Sequence, residues 1–114
     1  MSGGGSIASA PIVVLITCSS ITQARRLARA LVDQRATACV NIVPGLTSFF
    51  RWKGRVEQAR EILLVAKTTR RVFPALTRIV LRLHSYDVPE IIALPVTAAH
   101  APYQQWLVSS VRSA

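Results

Sequence analysis

The sequence predicts an α+β sandwich in which a four-stranded sheet packs against two long helices. Two segments carry apolar residues at helical spacing, with arginines on the opposite side. Two β-forming segments are joined by the turn signal Lys53-Gly54, and shorter apolar runs lie near both ends of the chain. The 114 residues, 51% hydrophobic and 17% charged, suit one folded domain and exclude a disordered chain.

The first strand is preceded by ten uncharged residues rich in Gly, Ser and Ala. They predict a flexible lead-in over 1–10 and a single domain over 11–114. The β-branched run Ile12–Ile16 predicts a central strand buried on both faces. No apolar run is long enough to cross a membrane, and no basic segment precedes this one as in a signal peptide. We therefore expect a soluble cytoplasmic protein with no membrane partner.

The first helix follows three candidate N-cap residues, Ser19, Ser20 and Thr22. Apolar residues then recur at helical spacing, and they predict an amphipathic helix that ends near Gln34 or Arg35. Its apolar face consists of Ala24, Leu27, Ala28, Leu31 and Val32.

A long hairpin is predicted next, with the arms Thr37–Trp52 and Arg55–Thr68. Both arms are longer than a typical strand of about 5–6 residues. Pro44-Gly45 interrupts the first arm. Because Pro cannot donate to a ladder and Gly marks a bulge, we expect a kink there with one strand continuing through it.

The second half of the chain repeats the helix-then-strand order. A helix is predicted from Arg70 onward, with Pro74 in its first turn, where the missing N–H costs little. Residues His84–Pro89 are irregular, and Ile91–Val96 predicts a last strand near an edge. A short closing helix is indicated by Tyr103, Trp106, Leu107 and Val111. The order βαββαβ plus a C-terminal helix is the ferredoxin-like arrangement.

Charge and motifs exclude several function classes. The net charge is +9, but most arginines lie opposite an apolar stripe, which is typical of a solvated helix face. RNA-binding domains share this element order, yet the third strand lacks stacking aromatics, so we expect no specific nucleic-acid partner. No phosphate-binding glycine loop or GxSxG motif occurs. Glu57 and Glu61 would lie about 13 Å apart on one strand face, too far for a catalytic pair. We expect a non-enzymatic protein.

Aromatic residues gather at the predicted hairpin tip, where Phe49, Phe50 and Trp52 precede the turn. An exposed aromatic tip and an open strand edge are both liabilities for a small domain. Packing against a neighbouring subunit would cover them, and we favour that interpretation over ligand stacking. A closed cyclic assembly would satisfy each edge with an identical neighbour.

Four segments carry a family resemblance. They read VLITCSS at 14–20, ACVNIVPGLTSFFRWKGRVEQAREILLVAKT at 38–68, HSYDVPEIIALPV at 84–96 and YQQWL at 103–107. They strongly resemble the CutA divalent-cation tolerance family over residues 11–112. The resemblance implies a homotrimer whose long hairpins pair between subunits, tolerance of copper and other divalent cations, and no established catalysis. It also suggests an alternative, since the trimeric nitrogen-signalling PII proteins bind small effectors in intersubunit clefts.

The resemblance further implies an intersubunit cleft, formed by Trp52, Glu61 and Lys67 of the hairpin with Tyr86 and Glu90 of the later loop. Ordinary structural roles stay open for three of them. Trp52 could simply pack, Lys67 could pair with Glu61 or Glu90, and Tyr86 could bond to a backbone group. This chain reads HSYDVPE where the family pattern is HPYEVPE.

Copper is the metal that the available soft donors favour. Thiolates suit cuprous ion, whereas imidazole and carboxylate suit Cu(II) or zinc. His84, at the end of the second helix, is the best single imidazole donor, and we expect His100 to be solvated. A calcium-type site is disfavoured because only five carboxylates occur in a chain of net charge +9. We expect weak copper binding through His84, with Cys18 or Cys39 contributing, and no tightly held metal.

Overall fold

The computed structural model describes residues 7–113. Its elements follow the predicted order: β1 (Pro11–Cys18), α1 (Ile21–Asp33), β2 (Cys39–Trp52), β3 (Arg55–Thr69), α2 (Phe73–Leu83), β4 (Ile91–Pro95) and α3 (Ala101–Ser110). Of the predicted lead-in, residues 1–6 lie outside the described residues, and Ile7–Ser9 form a 3-10 turn. None of the helices within 7–113 is both long and apolar enough to span a membrane.

The four strands form one antiparallel sheet in the order β2-β3-β1-β4. This is the ferredoxin-like arrangement that the sequence predicts. It confirms β4 as an edge strand, and it leaves β1 and β2 separated by β3. Every ladder contact of β2 is therefore made on one side, and its outer edge has no strand partner among residues 7–113.

The core lies between the sheet and the two long helices. Side chains alternate along a strand, and Ile12, Val14 and Ile16 of β1 are the ones that face the helices and are buried. Each buried side chain of this size contributes about 1.5–3 kcal/mol through lost water contact. Val13 and Leu15 point away from the helices and are only half-buried. The expectation that this strand is buried on both faces was therefore wrong, because both helices lie on one side of the sheet.

The helices begin and end close to where the sequence predicts. Ser20 is the N-cap of α1, with its hydroxyl accepting from the backbone N–H of Gln23 at 3.1 Å. A short 3-10 turn, Arg70–Val72, precedes α2, and Pro74 lies in the first turn. The predicted short closing helix is confirmed as α3. Its aromatic residues are not core residues, and only Leu107 within the helix is buried.

The hairpin of β2 and β3 extends well beyond the helices. Its two-residue turn has positive φ at both Lys53 (52°) and Gly54 (77°), as a type I′ turn requires. The predicted kink is confirmed as a register shift between Val43 and Leu46, with Gly45 at φ 87°. Residues 55–61 of β3 lie beyond the last β1 pair, so this end of the hairpin is a two-stranded arm.

Candidate functional site

A groove lies between the two-stranded arm and the loop that follows α2. Its volume is about 890 Å³, and we call it the hairpin groove. Aromatic and acidic side chains dominate its walls. The main lining residues are Phe49, Phe50, Trp52, Glu57, Glu61, Tyr86 and Glu90. The arm supplies one wall, because alternate residues of two paired strands share a face.

The hairpin groove is acidic although the chain is strongly basic. Glu57, Glu61 and Glu90 line it, and Asp87 belongs to the same loop. These are four of the five acidic residues in a chain of net charge +9. No lysine or arginine is among the lining residues. A cleft lined by one sign of charge concentrates ions of the opposite sign, so this groove attracts cations.

Glu61 is the buried carboxylate of the groove, with 8% of its surface exposed. Tyr86 Oη donates a hydrogen bond to Glu61 Oε2 at 2.8 Å. Arg29–Asp33 is the one ion pair among residues 7–113, so no cationic side chain neutralises Glu61 there. A buried charge is costly unless it is paired and hydrogen-bonded. Glu61 therefore has one neutral donor and lacks a counter-charge.

The environment of Glu61 shifts the protonation of its neighbours. Burial, followed by the hydrogen bond to Glu61 and the charge of that carboxylate, raises the pKa of Tyr86 to about 12. Partial desolvation at the groove wall raises the pKa of Glu90, and the charge of Glu61 adds to this effect. Both groups therefore hold their protons more strongly than usual, first because they are partly desolvated and second because Glu61 is close.

His84 anchors the loop that forms the second wall. It is the C-cap of α2, and its Nε2–H donates to the carbonyl of Thr17 at 2.7 Å. Its Nδ1 accepts from the backbone N–H of Tyr86 at 3.0 Å. Because a carbonyl only accepts and an N–H only donates, the ring is the neutral Nε2–H tautomer. Copper would have to displace one of these bonds to bind His84.

The two cysteines lie in different places. Cys18 is fully buried, and its thiol donates to the carbonyl of Ser20 at 3.7 Å. Burial, with a smaller effect of the Glu61 charge, raises the pKa of Cys18 despite that bond. Cys39 is half-buried on β2. In the strand register it lies opposite Lys67 of β3, and Lys67 lies opposite Val13 of β1. Cys18 is five residues from Val13, roughly 17 Å along the strand.

A chelate shared by both cysteines is therefore not formed within one chain. Among residues 7–113, no group of three or more His, Cys, Asp or Glu side chains is arranged to hold a metal ion. Cys18 directly follows Thr17, which lines the hairpin groove and whose carbonyl accepts from His84 Nε2. The structure thus brings His84 and Cys18 into one neighbourhood and leaves Cys39 apart.

Four of the five predicted cleft residues come together in the hairpin groove: Trp52, Glu61, Tyr86 and Glu90. Lys67 does not join them. It is six residues from Glu61 along β3, roughly 20 Å, and its ammonium donates to Oδ1 of Asn41.

Glu57 is the groove residue that the sequence argument missed as a site residue. Its spacing from Glu61 was the available signal, because residues four apart on a strand share a face. Phe49 and Phe50 were assigned to subunit packing, yet they also line the groove.

A second surface is the sheet side away from α1 and α2. We call it the open sheet face. Leu15 and Val65, which pair at its centre, are apolar and half-buried. The edge strands are more exposed, at 41% for Val43 of β2 and at 50% and 45% for Ile92 and Leu94 of β4. An apolar face of this extent on a small domain is typical of a surface that binds another protein.

The fold and the groove together define a class, a ferredoxin-like α+β protein with an extended hairpin arm and a cation-attracting groove. The model of the CutA1 divalent ion tolerance protein family matches residues 12–110, and the chain belongs to this family. This confirms the resemblance seen in the sequence.

Individual relatives agree with the family assignment. The divalent-cation tolerance protein CutA of Thermus thermophilus is 54% identical over 95 residues, which are 83% of this chain and 92% of that protein. Protein CutA of Homo sapiens is 42% identical over 106 residues, which are 93% of this chain but 59% of the human protein. The crystal structure of CutA1 from Oryza sativa has a TM-score of 0.90 at 40% identity, covering 96% of this chain and all of the other (100%).

Proposed function

We propose that this chain acts in divalent-cation tolerance in the cytoplasm, as a homotrimer that binds copper weakly and catalyses no reaction. The observation that carries the cation role is the position of the carboxylates. Four of five acidic residues lie at or beside one groove, although the net charge of the chain is +9. Such a field raises the local concentration of cations without requiring a tight site.

The homotrimer is supported by the surfaces that one chain leaves uncovered. The open sheet face is apolar, β2 has an open outer edge, and the arm has strand partners on one side only. Identical neighbours arranged about a rotation axis would cover all three features, and the closed ring would not add further subunits. Lys67 supports the same arrangement. Since it is roughly 20 Å from Glu61 along β3, a cleft that contains both residues must take Lys67 from a neighbouring copy.

Light scattering at micromolar concentration tests the assembly. The expected mass is near three chains of 12.4 kDa. Leu15→Asp should break the assembly because it places an unpaired charge at the centre of the open sheet face. Leu81→Asp is the matched control, because Leu81 lies on the helix side and is already 54% exposed. A monodisperse wild-type monomer would contradict the homotrimer.

Copper binding involves His84 in this proposal, with Cys18 or Cys39 contributing. The affinity is weak because the imidazole must exchange an existing hydrogen bond for the metal. Burial also keeps the thiol of Cys18 protonated, and the thiolate is the form that binds metal. Calorimetry with copper should therefore show weaker binding in His84→Ala than in the wild type.

Two further variants complete the copper test. Cys39→Ser reports on the half-buried thiol, and His100→Ala is the control imidazole, which should leave the affinity unchanged. Equal copper affinity in wild type, His84→Ala and Cys39→Ser would remove the direct-ligand hypothesis.

A second candidate function is that of an effector-binding sensor similar to the PII proteins. The observation that favours it is the groove volume of about 890 Å³, which is the size of a site for a small organic molecule. The acidic lining opposes a nucleotide as the effector. Calorimetry with ATP should therefore show no binding, and a measurable ATP affinity abolished by Trp52→Ala would favour the sensor over the metal role.

A further inference from the structure

We infer that the outer face of α1 and α2 binds the phosphate backbone of a double-stranded nucleic acid without reading its sequence. This goes beyond the proposed function, because it uses neither the hairpin groove nor a metal ion. We call the surface the basic helix face, and five exposed arginines define it: Arg25, Arg26, Arg29, Arg78 and Arg82. Three features of this face carry the inference: its charge, its position in the assembly and its shape.

The basic helix face carries positive charge that the chain leaves almost entirely uncompensated. Asp33 is the one acidic residue of α1 and α2, and it pairs with Arg29 at 3.0 Å. No carboxylate within residues 7–113 forms an ion pair with the other four arginines of the face. The remaining acidic residues of the chain lie at or beside the hairpin groove. Solvation alone needs only a mixture of both signs, so a face of one sign is typical of a surface that attracts polyanions.

The cations of this face are all arginines, and that chemistry suits phosphate. A guanidinium group is planar, stays charged at any physiological pH, and donates to two phosphate oxygens at once. Arg25 and Arg29 are four residues apart on α1, as Arg78 and Arg82 are on α2, so the members of each pair are neighbours on the helix surface. The face therefore offers rows of donors to successive phosphates of a strand.

The proposed homotrimer leaves the basic helix face exposed. Both helices lie on one side of the sheet, whereas neighbouring copies would cover the open sheet face, the outer edge of β2 and the arm. The side chain of Arg29 is 81% exposed and lies on the opposite side of α1 from the buried Leu27 and Leu31. Assembly therefore presents three copies of the face on one particle. Several linked faces bind a long polyanion more tightly than one face does.

The shape of the face favours the phosphate backbone over base edges. The helices α1 and α2 contact each other above the sheet. Two adjacent helices, each about 10 Å across, are wider than the major groove of about 12 Å, so neither helix can enter it and reach the bases. Insertion into a membrane is also disfavoured, because the apolar stripes of both helices are buried in the core.

Fluorescence anisotropy of a labelled duplex of about 20 base pairs tests the inference, with EDTA present so that no metal contributes. Five phosphate contacts on one face predict a slope of about −4.5 for log K against log salt concentration, because each contact contributes about −0.9. The affinity should therefore fall about 500-fold between about 50 and 200 mM salt. Two duplexes of unrelated sequence should bind with equal affinity.

A fourfold variant identifies the face. It combines Arg25→Gln, Arg26→Gln, Arg78→Gln and Arg82→Gln, whereas Arg29 is kept because it pairs with Asp33. The slope should become less steep by about 3.6, and the affinity at about 100 mM salt should fall about tenfold or more. Since all four side chains are exposed, circular dichroism and light scattering should show the fold and the mass of the wild type.

The matched control removes the same amount of charge from the arm. It combines four exposed residues: Arg51→Gln, Lys53→Gln, Arg55→Gln and Arg60→Gln. Its affinity for the duplex and its salt slope should stay close to those of the wild type. If light scattering shows that this control dissociates, the double variant Arg78→Gln/Arg82→Gln is compared with Lys53→Gln/Arg55→Gln instead.

Several results would overturn the inference. Equal weakening by the helix-face variant and the arm control would show that only net charge matters. A difference of more than about tenfold between the two duplexes would show that bases are read. No binding at about 50 mM salt would exclude nucleic acid as a partner. Tighter binding to phosphatidylcholine vesicles with about 30% phosphatidylserine than to the duplex would assign the face to a membrane surface instead.

Discussion

The hydrogen bond between Tyr86 and Glu61 should be one of the strongest single polar contacts of the site. Tyr86→Phe removes the donor and leaves the ring in place. The carboxylate of Glu61, 8% exposed and without an ion-pair partner among residues 7–113, then has no other donor within that range to replace the 2.8 Å bond. Leaving a buried charged acceptor unpaired has the full desolvation cost of that group.

The expected magnitude follows from the charge of the acceptor. A hydrogen bond to a charged group contributes about 1.5–3 kcal/mol, and one between neutral groups about 0.5–1.5 kcal/mol. Tyr86→Phe should therefore lower the free energy of unfolding by about 2 kcal/mol in the wild type. In a Glu61→Gln background the acceptor is neutral, and Tyr86→Phe should lower the free energy of unfolding by about 1 kcal/mol. The coupling between the two sites is the difference, about 1 kcal/mol.

Urea unfolding of the four proteins at one fixed protein concentration measures this coupling. The concentration must be held constant because an assembled protein gains stability from association. Circular dichroism follows the unfolding transition, so no fluorescent residue such as Trp52 has to be changed. If Tyr86→Phe lowers the stability equally in both backgrounds, the two side chains do not interact as described and the account of the groove is wrong.

Two further predictions concern protonation and the turn. In Tyr103→Phe, Tyr86 is the only tyrosine, and its absorbance titration should have a midpoint near 12 that Glu61→Gln lowers. Because the pKa of Tyr86 in the folded protein lies above the ordinary value of 10.0, the unfolded chain releases this proton at a lower pH. The free energy of unfolding of the wild type should therefore fall between about pH 10 and pH 12. In Tyr86→Phe it should fall less over the same range. An unchanged midpoint in Glu61→Gln would contradict the assigned cause. Gly54→Ala should lower the free energy of unfolding by about 1 kcal/mol in urea titration, because φ of 77° strains an alanine although its Cβ meets no atom within 4 Å. An unchanged stability would contradict the turn assignment.

Most of the fold could be predicted from local patterns in the sequence. Helical spacing predicted α1 and α2, and β-branched runs predicted the strands, because each period of apolar residues corresponds to one buried face. The turn and the kink were predictable since only certain residues adopt positive φ without strain. The helix α3 was also predicted, but its exposure could not be, since Tyr103 and Trp106 are 41% and 46% exposed in one chain.

The candidate site could be predicted only in part. The resemblance supplied Trp52, Glu61, Tyr86 and Glu90, and the structure brings these four together. It could not show that Lys67 lies apart, because strand register fixes that distance and register depends on long-range pairing. The hydrogen bonds of the imidazole ring were also not predictable, since they depend on how the loop returns to β1.

The copper site is the central claim, and one measurement tests it most directly. A crystal of the protein soaked in copper, with anomalous diffraction recorded at the copper edge, locates the metal without assuming its ligands. The account predicts partial occupancy beside His84, on the side of Cys18 and Glu61, and no peak along the arginine-rich helices. Anomalous peaks confined to other surfaces, or none at millimolar copper, would contradict it.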